Sequence, residues 1–147
     1  MSDEKRPLIV VGTDGSDHAA NAIRRAAAEA KVWDADLHLV YVTDFTMSYH
    51  FVADTVVVDV TELAKIQREA VWGDTEKILE EIDYPVTRVD LEGYPADTLV
   101  DYCTERGAEM LVLGTRGRGR LASTFLGSTS MRALEQSRCD VLIAKPR

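Results

Sequence analysis

Five short apolar runs alternate with four stretches of helical period, and this alternation is the strongest constraint on how the chain can fold. The runs are Pro7–Gly12, Asp36–Thr43, Pro85–Leu91, Glu109–Leu113 and Asp140–Ala144. The first closes in Thr13-Asp14-Gly15-Ser16-Asp17, a cluster of turn and cap formers in which Ser16 or Asp17 can N-cap the next helix. That helix carries Ala19, Ala22, Ile23, Ala26, Ala27 and Ala30 on one face, small residues suited to close packing on a sheet. A second helix is expected over Val60–Ile82, with Leu63, Ile66, Ala70, Ile78 and Ile82 as its apolar stripe. A third opens at Pro95, buries Leu99, Val100 and Cys103, and stops at Gly107. A fourth begins near Ser128 and turns Met131 and Leu134 inward. Strands alternating with helices predict an α/β fold with a single open five-stranded parallel sheet and helices on both faces. The run Pro85–Leu91 alternates most clearly, which places it towards a sheet edge.

A chain of 147 residues is one domain by size, and no linker or internal repeat divides residues 1–147. The net charge of −8 argues against nucleic acid and anionic membranes, both of which need a basic surface. No apolar run is long enough to span a bilayer, and no secretion signal follows the charged Met1–Arg6, so a cytoplasmic location is the expectation. Cys103 and Cys139 have no CxxC spacing and read as reduced structural thiols. His18, His38 and His50 form no metal-binding motif. The segment Asp44–Asp59 has no helical period and is read as a long loop, with or without a short helix.

One stretch reverses the acidic trend. Leu111 to Ser130 reads LVLGTRGRGRLASTFLGSTS: an apolar strand, a loop rich in glycine and arginine, then small hydroxylic residues at a helix start. Glycines let backbone N–H groups approach an anion, and a helix N-terminus offers unpaired N–H groups and a positive dipole end. Open parallel sheets bind ligands beyond the carboxyl ends of their strands, where the strand order reverses. The loop after strand one and the loop after strand four face each other if those strands are neighbours. Thr13 and Asp14 can then serve a nucleoside or a metal ion, while Gly114–Ser130 holds phosphates.

Gly114, Gly117, Gly127 and Ser128 form the pattern G-x2-G-x9-G-S, which resembles the ATP-binding branch of the universal stress protein family. The resemblance extends to VGTDGS after strand one, to the strand end at Tyr41-Val42 and to the terminal DVLIAKP. It implies the adenine nucleotide alpha hydrolase-like order 3-2-1-4-5. It also implies a site made by Gly12, Thr13, Asp14, Val42, Leu113, Gly114, Arg116, Gly117, Gly127, Ser128, Thr129 and Ser130. In that assignment Thr13 and Asp14 contact the nucleoside, Val42 lies beside the adenine, and Gly114, Arg116 and Gly117 form the ribose and phosphate loop. Gly127 to Ser130 cap the phosphates, and Asp14 supports Mg2+ through bound ATP. Gly12 stands where some members have Pro, and Arg116 where some have His. The resemblance further implies a homodimer through Asp140–Ala144, an apolar strand that needs protection as an edge.

Two decoys are set aside. Gly117–Ala122 fits the dinucleotide pattern G-x-G-x-x-A, but it follows the fourth strand rather than the first and does not lead directly into a helix. The Arg-Gly alternation is one short run without interleaved aromatics, unlike an RNA-binding tract. No GxxxxGK[ST] is present. With no general base evident beside the phosphate loop, the expectation is a regulatory ATP-binding module, with slow hydrolysis at most. The rival readings are an ATP-using enzyme that adenylates or releases pyrophosphate, and a dimerising stress protein that binds no nucleotide.

Overall fold

In the computed structural model, which describes residues 4–44, 59–116 and 126–146, strands and helices alternate along the described residues. Its elements are β1 (Leu8–Thr13), α1 (Asp17–Trp33), β2 (Asp36–Asp44), α2 (Val60–Leu79) and β3 (Thr87–Gly93). They continue with α3 (Pro95–Arg106), β4 (Met110–Gly114), α4 (Ser128–Gln136) and β5 (Asp140–Ala144). The five strands form one parallel sheet in the order β3-β2-β1-β4-β5. The expected fold class and order are both observed. β3 and β5 are the edges, as the alternation of β3 suggested.

Side-chain alternation along the strands divides the core into two layers. Ile9, Val11, Leu37, Leu39, Met110 and Val112 point to one face and meet Ala22, Ile23, Ala26 and Ala30 of α1. Leu8, Val10, Val40, Val42, Leu111 and Leu113 point to the other and meet Leu99, Val100 and Cys103 of α3 and Ala133 of α4. β1 is buried along its whole length because it lies at the centre with helices on both sides.

Helix ends follow local chemistry. The Ser16 hydroxyl accepts from the Ala19 N–H at 3.2 Å and caps α1. Asp59 caps α2 through the Thr61 and Glu62 N–H groups. Pro95 occupies the first turn of α3, and Gly107, at φ 66°, ends it in the left-handed conformation that glycine adopts without strain.

Two buried stripes differ from expectation. On α2, Leu63, Ile66 and Ala70 are exposed, whereas the expected Ile78 and, just beyond the helix end, Ile82 pack against the core, beside the buried Val71 and Thr75. On α4, Met131 and Leu134 are about half exposed, while Ser130 and Ala133 are buried. In α4 the inward stripe is shifted by one residue, and in α2 the departure is confined to Leu63, Ile66 and Ala70. β3 also begins at Thr87, two residues later than Pro85, which lies outside the ladder. Residues 45–58, within the expected Asp44–Asp59 loop, lie outside the described residues. No helix among the described residues is long and apolar enough to cross a membrane.

Away from the carboxyl ends of the strands, His38 of β2 meets Tyr102 of α3, with 2.8 Å between Nδ1 and the phenolic oxygen. The Arg106 guanidinium stacks 5.3 Å over the Tyr102 ring. Burial lowers the His38 imidazole pKa and raises that of the Tyr102 phenol.

Candidate functional site

The carboxyl ends of β1, β2 and β4 open into one cavity of about 600 Å³. It sits where β1 and β4 part company: from β1 the chain runs outward to β2 and β3, then crosses back to β4 on the other side. This is the switch point of the sheet, where two successive connections leave in opposite directions and leave a crevice.

The loop after β1 is closed by its own side chains. The Thr13 hydroxyl accepts from the Gly15 N–H at 3.1 Å and lies 3.2 Å from the Thr75 hydroxyl of α2. Asp14 accepts the Ser16 N–H at 2.9 Å, which turns the chain into α1. Gly15 sits at φ 77°, in the left-handed region. The Thr13–Thr75 contact explains why a threonine, 2% exposed, faces inward from α2. Thr75 escaped the sequence reading because a threonine inside a long amphipathic stretch carries no distinct signal.

The connection after β4 is held from a distance. Gly114 packs against α1 so closely that an added Cβ would stand 2.5 Å from the His18 carbonyl oxygen and 2.7 Å from its carbon. His18 Nδ1 lies 3.1 Å from the Thr115 hydroxyl. The Gly127 N–H donates to the Thr115 carbonyl at 2.7 Å, and the Ser130 hydroxyl donates to the Gly114 carbonyl at 2.8 Å. The last two bonds tie the start of α4 to the end of β4. Gly127 is the N-cap of α4, with no side-chain cap, so its first N–H groups have no acceptor within the helix.

Of the twelve residues singled out from the sequence, Gly117 lies outside the described residues. The other eleven line this one cavity: Gly12, Thr13, Asp14, Val42, Leu113, Gly114, Arg116, Gly127, Ser128, Thr129 and Ser130. Gly12 has a packing reason of its own, since a Cβ there would meet Leu113 at 2.8 Å and Leu99 at 3.1 Å. Ser130 differs from its expected part, because its hydroxyl is committed to the Gly114 carbonyl.

The lining has two characters. Val40, Val42, Leu99, Leu113, Pro95 and Val71 form its apolar walls. Arg116 and the start of α4 supply positive charge and N–H donors. Asp44 and Gln67 also line the cavity and were missed. Gln67 is another polar residue on the inward side of α2, so the polar interruptions of an apolar stripe were the available signal. His18 was passed over as an isolated histidine, yet it underpins the loop; it is not among the residues lining the cavity.

An open parallel sheet with helices on both faces and a crevice at its switch point, apolar on one side and cationic on the other, defines a doubly wound α/β domain. The sequence model of the Universal stress protein family matches residues 7–145, and the chain belongs to that family. It is similar to a universal stress protein of Methanocaldococcus jannaschii, with 31% identity over 137 residues covering 93% of this chain and 81% of the relative. The fold is similar to that of a universal stress protein from Lactobacillus plantarum, with a TM-score of 0.76 at 22% identity, covering 97% of this chain and 99% of the other. A universal stress protein solved in complex with cAMP matches with a TM-score of 0.59 at 25% identity, covering 94% of this chain and 95% of that one.

Proposed function

We propose that the cleft binds an adenine nucleotide, with ATP and Mg2+ as the working pair, and that occupancy modulates the protein's stability or its affinity for a partner. One observation carries the reading. Residues chosen from four separate parts of the sequence line a single cavity in which an apolar slot adjoins a cationic, N–H-rich rim. The cAMP complex of a relative supports an adenine nucleotide as the ligand class.

The donor set is compatible with Mg2+ only in company with the nucleotide. Among the described residues no three His, Cys, Asp or Glu side chains cluster to hold an ion alone. Asp14 lines the cleft, and a hard cation bound by one or two carboxylates completes its shell with phosphate oxygens and water. Asp14 would hold that ion, which would neutralise phosphate charge. Arg116 and the α4 N-terminus would take the remaining phosphate oxygens. His18 turns its Nδ1 to Thr115 rather than lining the cleft, so it supplies no general base there. The reading is therefore a binding module with slow hydrolysis at most.

A homodimer through β5 belongs to the same proposal. Val141, Leu142 and Ile143 are half-buried on β5, which among the described residues pairs with β4 on one side and forms the sheet edge on the other. A partner strand would cover them.

The test is nucleotide-free protein titrated with ATP, ADP, AMP and cAMP, with and without Mg2+, by calorimetry and thermal shift. ATP is expected to raise the melting temperature, and Asp14→Ala and Gly127→Val are expected to remove that rise. Binding that survives both substitutions sinks the site. Rapid release of AMP and pyrophosphate would replace the module with an enzyme.

A further inference from the structure

Gln67, Val71 and Thr75 are spaced four apart on α2 and share one face of the helix. Thr75 fixes that face on the sheet, its hydroxyl 3.2 Å from that of Thr13 at the end of β1. Trp72 carries the contact outward. Its ring stands edge-on to Tyr41 of β2 at 6.5 Å, and its Nε1–H donates to the Asp90 carboxylate of β3 at 2.7 Å. α2 therefore lies over the β3-β2-β1 half of the sheet, whereas Arg116 and the start of α4 follow β4 on the other side. A crossover helix runs antiparallel to the strands it joins, so the early turns of α2 stand beyond their carboxyl ends. Gln67, two turns before Thr75, thus meets the cleft away from its cationic rim, and lines it together with Val71.

The walls at this end are apolar: Val40, Val42, Leu99 and Val71. Nearby polar groups of β1 are already engaged, Thr13 with Gly15 and Thr75, and Asp14 with the Ser16 N–H. Gln67 is half-buried, and among the described residues no hydrogen bond holds its carboxamide. The polar edge of a base pressed against apolar walls needs a partner, since an unpaired edge forfeits its bonds to water.

We infer that Gln67 reads the base of the bound nucleotide, its amide oxygen accepting a hydrogen bond from the exocyclic amine of adenine. This inference rests on the adenine-nucleotide reading of the cleft. An amide carries a donor and an acceptor on one rotor. Turned one way it accepts from a 6-amino group; turned the other it donates to a 6-oxo group. A purine with neither group leaves it unpaired. Asp44 also lines the cavity, but an ionised carboxylate only accepts and cannot adapt in this way.

The nucleotide-free full chain is titrated by calorimetry with ATP, ITP and purine riboside triphosphate, which has no group at position 6. Wild type should bind ATP and ITP with similar affinity, and the purine nucleotide about tenfold more weakly. Gln67→Leu should bring ATP down to the purine nucleotide, whose own affinity stays unchanged. Gln67→Glu keeps the acceptor and loses the donor, so it should hold ATP and bind ITP at least about tenfold more weakly than ATP. Comparing ATP with ITP cancels the effect of the new charge on the phosphates. Both variants alter a half-buried position with no described hydrogen bond and should melt near the wild-type temperature. An ATP preference that survives Gln67→Leu overturns the inference and passes base reading to another group, Asp44 first. Wild-type protein that binds all three nucleotides equally overturns it too, while the cleft remains a nucleotide site. Failure to bind any of them removes the proposed function, and this inference with it.

Discussion

The two loops that meet in the cleft are built in opposite ways. The β1–α1 loop is held mainly by bonds spanning two or three residues, Thr13 to Gly15, Asp14 to Ser16 and Ser16 to Ala19, with one long-range contact from Thr13 to Thr75. The two ends of the β4–α4 connection are held by contacts that reach across the chain, from His18 to Thr115 and from Ser130 to Gly114. A loop closed by its own side chains is shaped as soon as its strand forms. A loop closed from afar takes its shape only when α1, β4 and α4 have packed. The first side of the cleft therefore depends mostly on local bonds, and the described ends of the second depend on the packing of α1, β4 and α4.

The largest effect should come from Gly114→Val. The added side chain meets the His18 backbone, which cannot rotate away, so α1 and β4 must separate. A loss of about 3 kcal/mol is expected in urea denaturation, together with loss of any nucleotide-dependent stabilisation. An unchanged midpoint would show that the two elements are not pressed together.

Ser130→Ala strikes the same connection more gently. It removes a hydroxyl, 4% exposed, that donates to the Gly114 carbonyl. About 1 to 2 kcal/mol should be lost. Nucleotide affinity should fall along with stability, because the start of α4 is released from the end of β4.

On the locally built side, Ser16→Ala deletes the α1 cap and should cost about 1 kcal/mol. Here stability should fall while affinity stays near the wild-type value, since Thr13 and Asp14 keep their own bonds to Gly15 and Ser16. Equal losses of affinity in the Ser16 and Ser130 variants would erase the contrast between the loops.

The smallest effect lies outside both loops and serves as a control. Burial, followed by the Arg106 charge and opposed by Asp36, holds the His38 imidazole below its ordinary value of 6.5. The unfolded chain then binds that proton more readily than the folded one. His38's contribution is full above pH 6.5 and declines as pH falls from there through the folded value. Compared with wild type between pH 7 and pH 5, His38→Gln should lose stability less steeply on acidification. Identical slopes would remove His38 from the pH response.

The elements themselves could be read from the chain because their signals are local. Runs of Val, Ile and Leu bounded by turn residues give strands, and Ser16, Pro95 and Gly107 punctuate helices where local bonding requires. The helical phases of α2 and α4 could not be read in the same way. Leu63, Ile66 and Ala70 form a plausible stripe, as do Met131 and Leu134, but the folded helices turn Thr75 and Ser130 inward instead. A hydroxyl at such a position is favourable only because a distant group awaits it, the Thr13 hydroxyl in one case and the Gly114 carbonyl in the other. The periodicity of one helix carries no information about that partner.

By itself, then, the sequence determined the alternation of strands and helices and the parallel sheet. These follow from propensities and patterns a few residues long. Tertiary structure alone decided that His18 lies beneath Gly114 and that Gln67 and Asp44 face the cleft. Each of these pairs residues from different elements, and only the packing of helices on the sheet brings them within reach.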